Sequence, residues 1–250
     1  QKGFLLLKTR ALVEKELSFK GKKGGRRGEN GVQRDLTFFQ HGPQLLAGSY
    51  GLVYVKRAVS IIELLANTSL RFSKHTEDFI IEFLLGGMRY AVHTRNSHYL
   101  ANGRSFSRPN GESLVSLEDP LEALLRLASG QQAQKLQEFL AHLQTRPGLF
   151  SSTKYFSSSF FLASHHQGTY MAVKGAHQGM INSEFLNGEN PLGRNLGYGG
   201  VTAYQHTGLE YANISSVWDF SMLPGSTAYR EGDEELRSKR SSAQYRSKTA

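Results

Sequence analysis

The 250-residue chain has no cysteine, one tryptophan and six prolines. No apolar run approaches the ~18 residues that a membrane-spanning helix needs. The missing thiols exclude a disulfide scaffold, thiolate metal sites and a cysteine nucleophile, while saying little about compartment. A short apolar patch in residues 1–7 lacks a cleavage-site pattern, so no signal peptide is expected in this chain. There is no phosphate-binding loop ending in Gly-Lys-Ser/Thr, and Gly197, Gly199 and Gly200 do not compose a dinucleotide fingerprint. No Gly-x-Ser-x-Gly elbow marks a serine hydrolase. His165, His166 and His177 have no metal-ligand spacing and read as ordinary strand histidines. What remains is 39% apolar and 20% charged, enough for a sizeable core and too apolar for wholesale disorder.

The net charge of +9 invites a nucleic-acid reading, but its distribution argues otherwise. Lys20, Lys22, Lys23, Arg26 and Arg27 fall in one loop, and Arg237, Lys239, Arg240, Arg246 and Lys248 in the C-terminal tail. Neither stretch, 20–27 or 237–250, contains an acid, and subtracting these ten charges leaves −1 for everything else. The basicity therefore belongs to a solvated loop and tail, with weak capture of a polyanion as the alternative.

The chain changes character near Pro147 and Gly148. Before that point the periodicity is helical. Residues 4–17 form one candidate helix, and Leu52, Val55, Val59, Ile62 and Ala66 recur on one face of a second, widened by Val53, Ile61 and Leu65. Residues 77–92 read as a third, apolar on more than one side. Asp119 and Pro120 supply an N-cap and first turn for a fourth, which Gly130 is expected to stop. Ala133, Leu136, Leu140 and Leu143 mark a fifth. Long loops at 18–49 and 93–118 are expected to be functional or disordered. After Gly148, aromatic and Ser/Thr-rich runs at 153–164, 168–175 and 200–205 read as strands. The expected organisation is thus a helical portion, 1–147, a β portion, 148–230, and a basic polar tail, 231–250. About 80 residues is little for a sandwich that must cover its own edges, so the chain reads as a piece of something longer.

Three segments carry more information. The first, residues 35–51, reads DLTFFQHGPQLLAGSYG and holds His41 and Tyr50 in the loop before a helix. The second, residues 102–108, reads NGRSFSR and holds Arg104 and Arg108. The third, residues 182–190, reads NSEFLNGEN with Glu184 and Asn187, followed by WDFSMLPGST at 218–227. In this order, across a helical-to-β transition, they resemble the polysaccharide lyase family that includes hyaluronate lyase, the chondroitin lyases and xanthan lyase. The resemblance covers roughly residues 30–230.

The resemblance implies the C-terminal part of an incomplete α/α toroid, followed by the beginning of an antiparallel β-sandwich. It also implies a β-elimination that cleaves a uronic-acid-containing acidic polysaccharide, of chondroitin or hyaluronan type, without water. In such a reaction the C5 proton leaves from beside a carboxylate and the O4 leaving group receives a proton. The family uses a tyrosine for both, which here corresponds to Tyr50. A histidine, here His41, assists, and an arginine and a glutamate, here Arg104 and Glu184, tune and hold it. Arg108 and Asn187 match substrate-binding positions. The residue types suit the chemistry. Free tyrosine titrates near pH ~10. A guanidinium ~4 Å from a phenol, at an effective dielectric of ~20, favours the phenolate by roughly 4 kcal/mol, and burial opposes this. Arginine keeps its charge, and a carboxylate can fix its fork. The elimination needs no organic cofactor and no catalytic metal.

Two departures from the family pattern stand out. Leu36 occupies a position where glycine is frequent. Nothing before residue 30 matches the family's upstream asparagine and tryptophan-rich sugar patch, which points to the absent N- and C-terminal parts of the same lyase as partners of this chain. Asn190 and Trp218 are expected to shape the sheet, not to touch sugar. The leading expectation is a carbon–oxygen lyase acting on an acidic polysaccharide, extracellular or periplasmic by substrate logic, without membrane insertion. The first alternative is a catalytically incomplete carbohydrate-binding fragment. A basic nucleic-acid-binding protein ranks last, since no such module is recognised.

Overall fold

In the computed structural model, described over residues 2–21, 29–144, 148, 150–175, 181, 183–193, 196, 201–220 and 222–225, five helices precede a four-stranded sheet. Most of the basic loop, the tail, and the positions of His177 and Gly197 lie outside the described residues. No described helix is long and apolar enough to cross a membrane.

Helix α1 (Lys2–Glu16) is anchored at its C-terminal end. Its Glu14 carboxylate accepts the Ser73 N–H at 2.8 Å, and Phe19 just beyond meets the edge of Phe79 at 5.0 Å. Helix α2 (Leu52–Leu65) buries Val55, Ala58, Val59 and Ile62, the stripe its spacing announces. Helix α3 (Lys74–Gly86) is N-capped by Ser73, whose side chain accepts the Thr76 N–H. Apolar residues continue past it, yet it stops at Gly86 and Gly87, short of the expected residue 92. A Cβ on Gly87 would lie 2.5 Å from the Leu36 carbonyl, so the chain turns where only glycine fits against the preceding loop. A short 3-10 turn (Met88–Ala91) and the hairpin β3 (Val92–His93) and β4 (Asn96–Ser97) take over. A small β1 (Gly31–Val32) and β2 (Phe38–Phe39) pair occupies the first long loop.

Helix α4 (Glu118–Leu125) begins two residues earlier than its Asp119 cap signal implies, because the turn Val115–Leu117 runs directly into it and Leu117 becomes the N-cap. Gly130 does not stop this helix. It lies at φ +56° and opens α5 (Gly130–Gln144), which buries Leu136, Phe139, Leu140, His142 and Leu143.

The sheet is antiparallel in the order β5 (Ser152–Phe156), β6 (Phe161–His166), β7 (Thr169–Lys174), β8 (Val201–Gln205). The expected run at 153–164 divides into two strands around a hairpin that pairs Phe156 with Phe161. Period-2 alternation sends Phe161, Ala163, His165, Tyr170 and Ala172 to the buried face. Phe161, Ala163, Tyr170 and Ala172 join the same hydrophobic cluster as Phe83, Leu84 and Leu121 of the helices. Polar ties reinforce the junction. The Tyr170 hydroxyl donates to the Tyr90 carbonyl at 2.9 Å, and Asp35 accepts the Ser158 N–H at 2.7 Å. A second cluster, with Tyr99, Phe106, Leu192 and Phe220 at its centre, packs Trp218 and Tyr211 beneath the second long loop.

Candidate active site

Tyr50 sits in a single π-helical turn, Ala47–Gly51, ahead of α2. Close packing fixes that turn: a Cβ on Gly48 would fall 2.0 Å from the Asn102 side-chain oxygen and 2.5 Å from Ser97 Oγ. Asn102, fully buried, accepts a hydrogen bond from Ser97 Oγ at 2.5 Å, so the two long loops interlock at this point. His41 lies in the left-handed region at φ +56°, followed by Gly42 at φ +101°. Such backbone is sparsely populated for residues other than glycine and recurs at functional sites. Two residues on, the Pro43 carbonyl accepts the Ile181 N–H at 3.1 Å, drawing the 181–190 segment alongside the histidine.

Arg104 is carried by the 3-10 turn Gly103–Ser107. Gly103 has φ +55°, and a Cβ there would lie 2.4 Å from Leu46 Cδ2 and 3.3 Å from Glu184 Cβ. Glycine thus permits the approach that sets Glu184 beside Arg104. Glu184 is about 1% exposed, and its carbonyl accepts Asn190 Nδ2 at 2.9 Å. The Asn190 backbone N–H donates to Ser107 Oγ at 3.0 Å, tying the segment to the arginine turn.

These elements bring five of the six sequence-predicted residues together. His41 Nδ1 lies 2.5 Å from Glu184 Oε1, and Arg104 Nη1 forms an ion pair with that same oxygen at 2.7 Å. Arg104 Nη2 donates to the Tyr50 hydroxyl at 3.1 Å. The His41 and Tyr50 rings meet edge-on with centroids 5.0 Å apart. Arg108 joins through Glu189, which accepts Arg104 Nε at 2.8 Å, Arg108 Nε at 2.6 Å and Arg108 Nη2 at 2.8 Å. Asn187 stands apart. It is exposed at the tip of the 186–189 turn, at φ +57°, and makes no hydrogen bond to the cluster among the described residues.

Glu189 is the member that sequence reasoning missed. It was visible in the Gly-Glu-Asn string but had no assigned role. An acid on a tight turn, facing two arginines one turn apart, is the signal in retrospect. Its partners hold its carboxyl below the ordinary range, the Arg108 hydrogen bond first, against the opposing effect of burial. Burial works against the Arg104 charge, but Glu184, the Tyr50 hydroxyl and Glu189 overcome it and raise the guanidinium above its usual value. Arg108 is raised chiefly by its Glu189 hydrogen bond. A cavity of about 330 Å³ opens beside Tyr50, Arg104 and Arg108. A hydroxyl at its wall, receiving a bond from a fixed guanidinium, is equipped to exchange a proton with a bound molecule.

The acids of this cluster are committed to arginine or histidine, so it offers no carboxylate cage for a hard cation. Among the described residues, the side chains that could share a metal are His93, His142 and His165, which belong to a different part of the fold. The sequence reading placed His165 among unrelated strand histidines. His166 is indeed exposed, but His165 points inward to partners from two other elements.

Comparison with known proteins gives this geometry a family. Residues 26–145 match the family model described as polysaccharide lyase family 8, N terminal alpha-helical domain. Residues 151–250 match that of polysaccharide lyase family 8, super-sandwich domain. Chondroitinase-AC of Pedobacter heparinus is 25% identical over 206 residues, which make up 80% of this chain and 29% of that protein. A chondroitinase AC lyase solved with oligosaccharides has a similar fold, with a TM-score of 0.76 and 22% identity over 89% of this chain and 32% of its own. A Paenibacillus xanthan lyase superimposes with a TM-score of 0.74 and 18% identity, over 87% of this chain and 24% of its own. The chain therefore spans about a third or less of the length of these relatives. With both of its matched portions in the order helices then sheet, the chain belongs to polysaccharide lyase family 8.

Proposed function

We propose that this chain carries the reaction centre of a lyase that cleaves a uronic-acid-containing acidic polysaccharide, of the chondroitin or hyaluronan type, by β-elimination. The observation that carries the reading is the Arg104 guanidinium, which touches the Tyr50 hydroxyl and Glu184 at once while His41 closes on the same carboxylate. A hydrogen bond donated to a phenol oxygen stabilises the oxyanion, and a fixed donor does so without reorganising during reaction. Tyr50 takes the C5 proton. The C5–H electron pair becomes the C4=C5 double bond, the C4–O4 bond breaks, and Tyr50 returns a proton to O4. Glu184 holds Arg104 and His41 in register, and Arg108, about half exposed, faces the polyanion. Asn187, on its exposed turn apart from them, binds sugar in this reading. In this reading the chain divides near 147–148 into a helical and a sheet portion. The relatives named for chondroitinase AC support the substrate class, and a polymer of that class is the reason to propose an extracellular or periplasmic site of action.

The test is ultraviolet absorbance during incubation with chondroitin sulfate, hyaluronan and xanthan, comparing the wild type with Tyr50→Phe. Elimination creates a conjugated unsaturated uronate, which hydrolysis does not. Growth of absorbance that Tyr50→Phe abolishes is the expected result. Growth that survives in Tyr50→Phe overturns the role of the tyrosine. A flat wild-type trace with retained polysaccharide binding supports the carbohydrate-binding fragment instead.

A further inference from the structure

Three buried histidines converge where the helices meet the sheet. His93 comes from β3, His142 from the last turn of α5 and His165 from β6. Each is at most 2% exposed, and one ring nitrogen from each lies within 4.8 Å of the other two. Their ring centroids stand 5.2 to 5.9 Å apart.

The hydrogen bonding of His93 supplies a second, independent observation. Its Nε2 lies 2.9 Å from the His206 carbonyl, an acceptor only a protonated nitrogen can satisfy. The lone pair is therefore on Nδ1, which is buried and makes no hydrogen bond. A backbone carbonyl holding one ring nitrogen is the arrangement that fixes the tautomer of a histidine that binds metal through the other. His165 is buried with neither ring nitrogen in a hydrogen bond of normal geometry, although the Arg89 backbone lies close.

We propose that His93, His142 and His165 form a structural binding site for a borderline divalent transition ion of the zinc class, which clamps helix α5 and the β3–β4 hairpin to the sheet. Three imidazoles without a thiolate or carboxylate favour such an ion over calcium or magnesium. Zinc–nitrogen bonds of about 2.0–2.1 Å require each donor to move inward by less than about 1 Å, within reach of side-chain rotation. Water, hydroxide or a small anion completes the tetrahedron. The charged groups that face the site set a condition on that fourth ligand. Arg89, stacked on Phe150 at 3.6 Å, sends a positive field toward His165, while Glu210 acts in the opposite sense on His93. An anionic fourth ligand offsets the guanidinium. The site shares no residue with the Tyr50 cluster, so it stands whether or not the lyase reading holds.

The experiment uses the full, tag-free chain, stripped with chelator and then titrated with Co²⁺. A visible ligand-field band of four-coordinate intensity is expected, with one Zn²⁺ retained per chain after desalting. A Zn²⁺ concentration a hundredfold above Kd should raise Tm by about 5–10 °C. His165→Gln should weaken binding by about tenfold or more and abolish the band, while the exposed neighbour His166→Gln keeps both. If His165→Gln fails to fold, the wild-type spectrum and stoichiometry decide. A wild type with no ligand-field band and no metal-dependent Tm overturns the proposal, as does a folded His165→Gln that binds like the wild type.

Discussion

Replacing Glu189 by glutamine tests whether the arginine pair needs its bracket. The carboxylate accepts three hydrogen bonds from Arg104 and Arg108, and its side chain is 30% exposed. Glutamine keeps the shape but loses the charge, and its amide presents a donor where one guanidinium already donates. Arg104 retains Glu184 and Tyr50, whereas Arg108, 46% exposed, retains little that is charged. For a partly exposed network the stability loss should be about 1 kcal/mol, or about 2–4 °C in Tm. The kinetic effects have opposite signs. Loss of one negative charge makes the cleft more attractive to a polyanion by about 1 kcal/mol at low salt, roughly fivefold in affinity, and salt should screen this away. Displacement of the guanidinium by even a fraction of an ångström should lower kcat by about tenfold or more. The assay is the initial rate of absorbance growth against substrate concentration, at low and high salt. A fall in KM together with a fall in kcat is expected. An unchanged kcat with a lower KM would refute the bracket, leaving Glu189 as a charge that only moderates binding.

Three further outcomes follow from local geometry. Gly48→Ala should destabilise the fold by about 1–3 kcal/mol and disturb the Tyr50 turn, since its Cβ would meet the Asn102 side chain at 2.0 Å; denaturant unfolding and the elimination rate both report it. Leu36→Gly relieves a left-handed backbone at φ +72°, about 1–2 kcal/mol, but removes a side chain only 8% exposed that covers Gly86, about 2–5 kcal/mol; thermal unfolding should show a net loss, and a gain would refute the packing role. His98 is fully buried, accepts the Leu100 N–H at Nδ1, and burial lowers it from 6.5 to about 3. The unfolded chain therefore binds its proton first. This contribution to stability is complete above about pH 6.5 and is lost as pH falls toward 3, by about 2–3 kcal/mol at pH 4.5, so His98→Gln should flatten the acid limb of a Tm–pH curve.

The legible parts of the fold are those where one residue type decides the outcome. The stripe of α2 and the core face of α5 follow from apolar spacing alone. The end of α3 does not, because Met88, Ala91 and Val92 continue an apolar pattern while the turn is forced by Gly87 against the Leu36 carbonyl, a contact from a distant loop. The Asp119 cap signal lost to the 3-10 turn that feeds α4, and Gly130 served the following helix, not the preceding one. Local chemistry proposed both features, and tertiary continuity moved each by a few residues.

The candidate site divides in the same way, by sequence separation. His41 and Tyr50 lie close in sequence and can be proposed as a pair. Arg104 meets Glu189 across 85 positions, and no periodicity connects them. Only the order of three motifs in a known family brought Glu184 into the same picture. Glu189, inside the quoted motif, stayed without a role because its function consists of contacts that the turn at Asn187 and Gly188 creates. The three core histidines are a stronger case. Each occupies an unremarkable position on its own element, and a ligand set drawn from a hairpin, a helix end and a strand leaves no spacing to read. Motifs locate chemistry assembled along the chain or inherited with it. Sites assembled across packed elements become visible only when the buried polar atoms are counted and found to face one another.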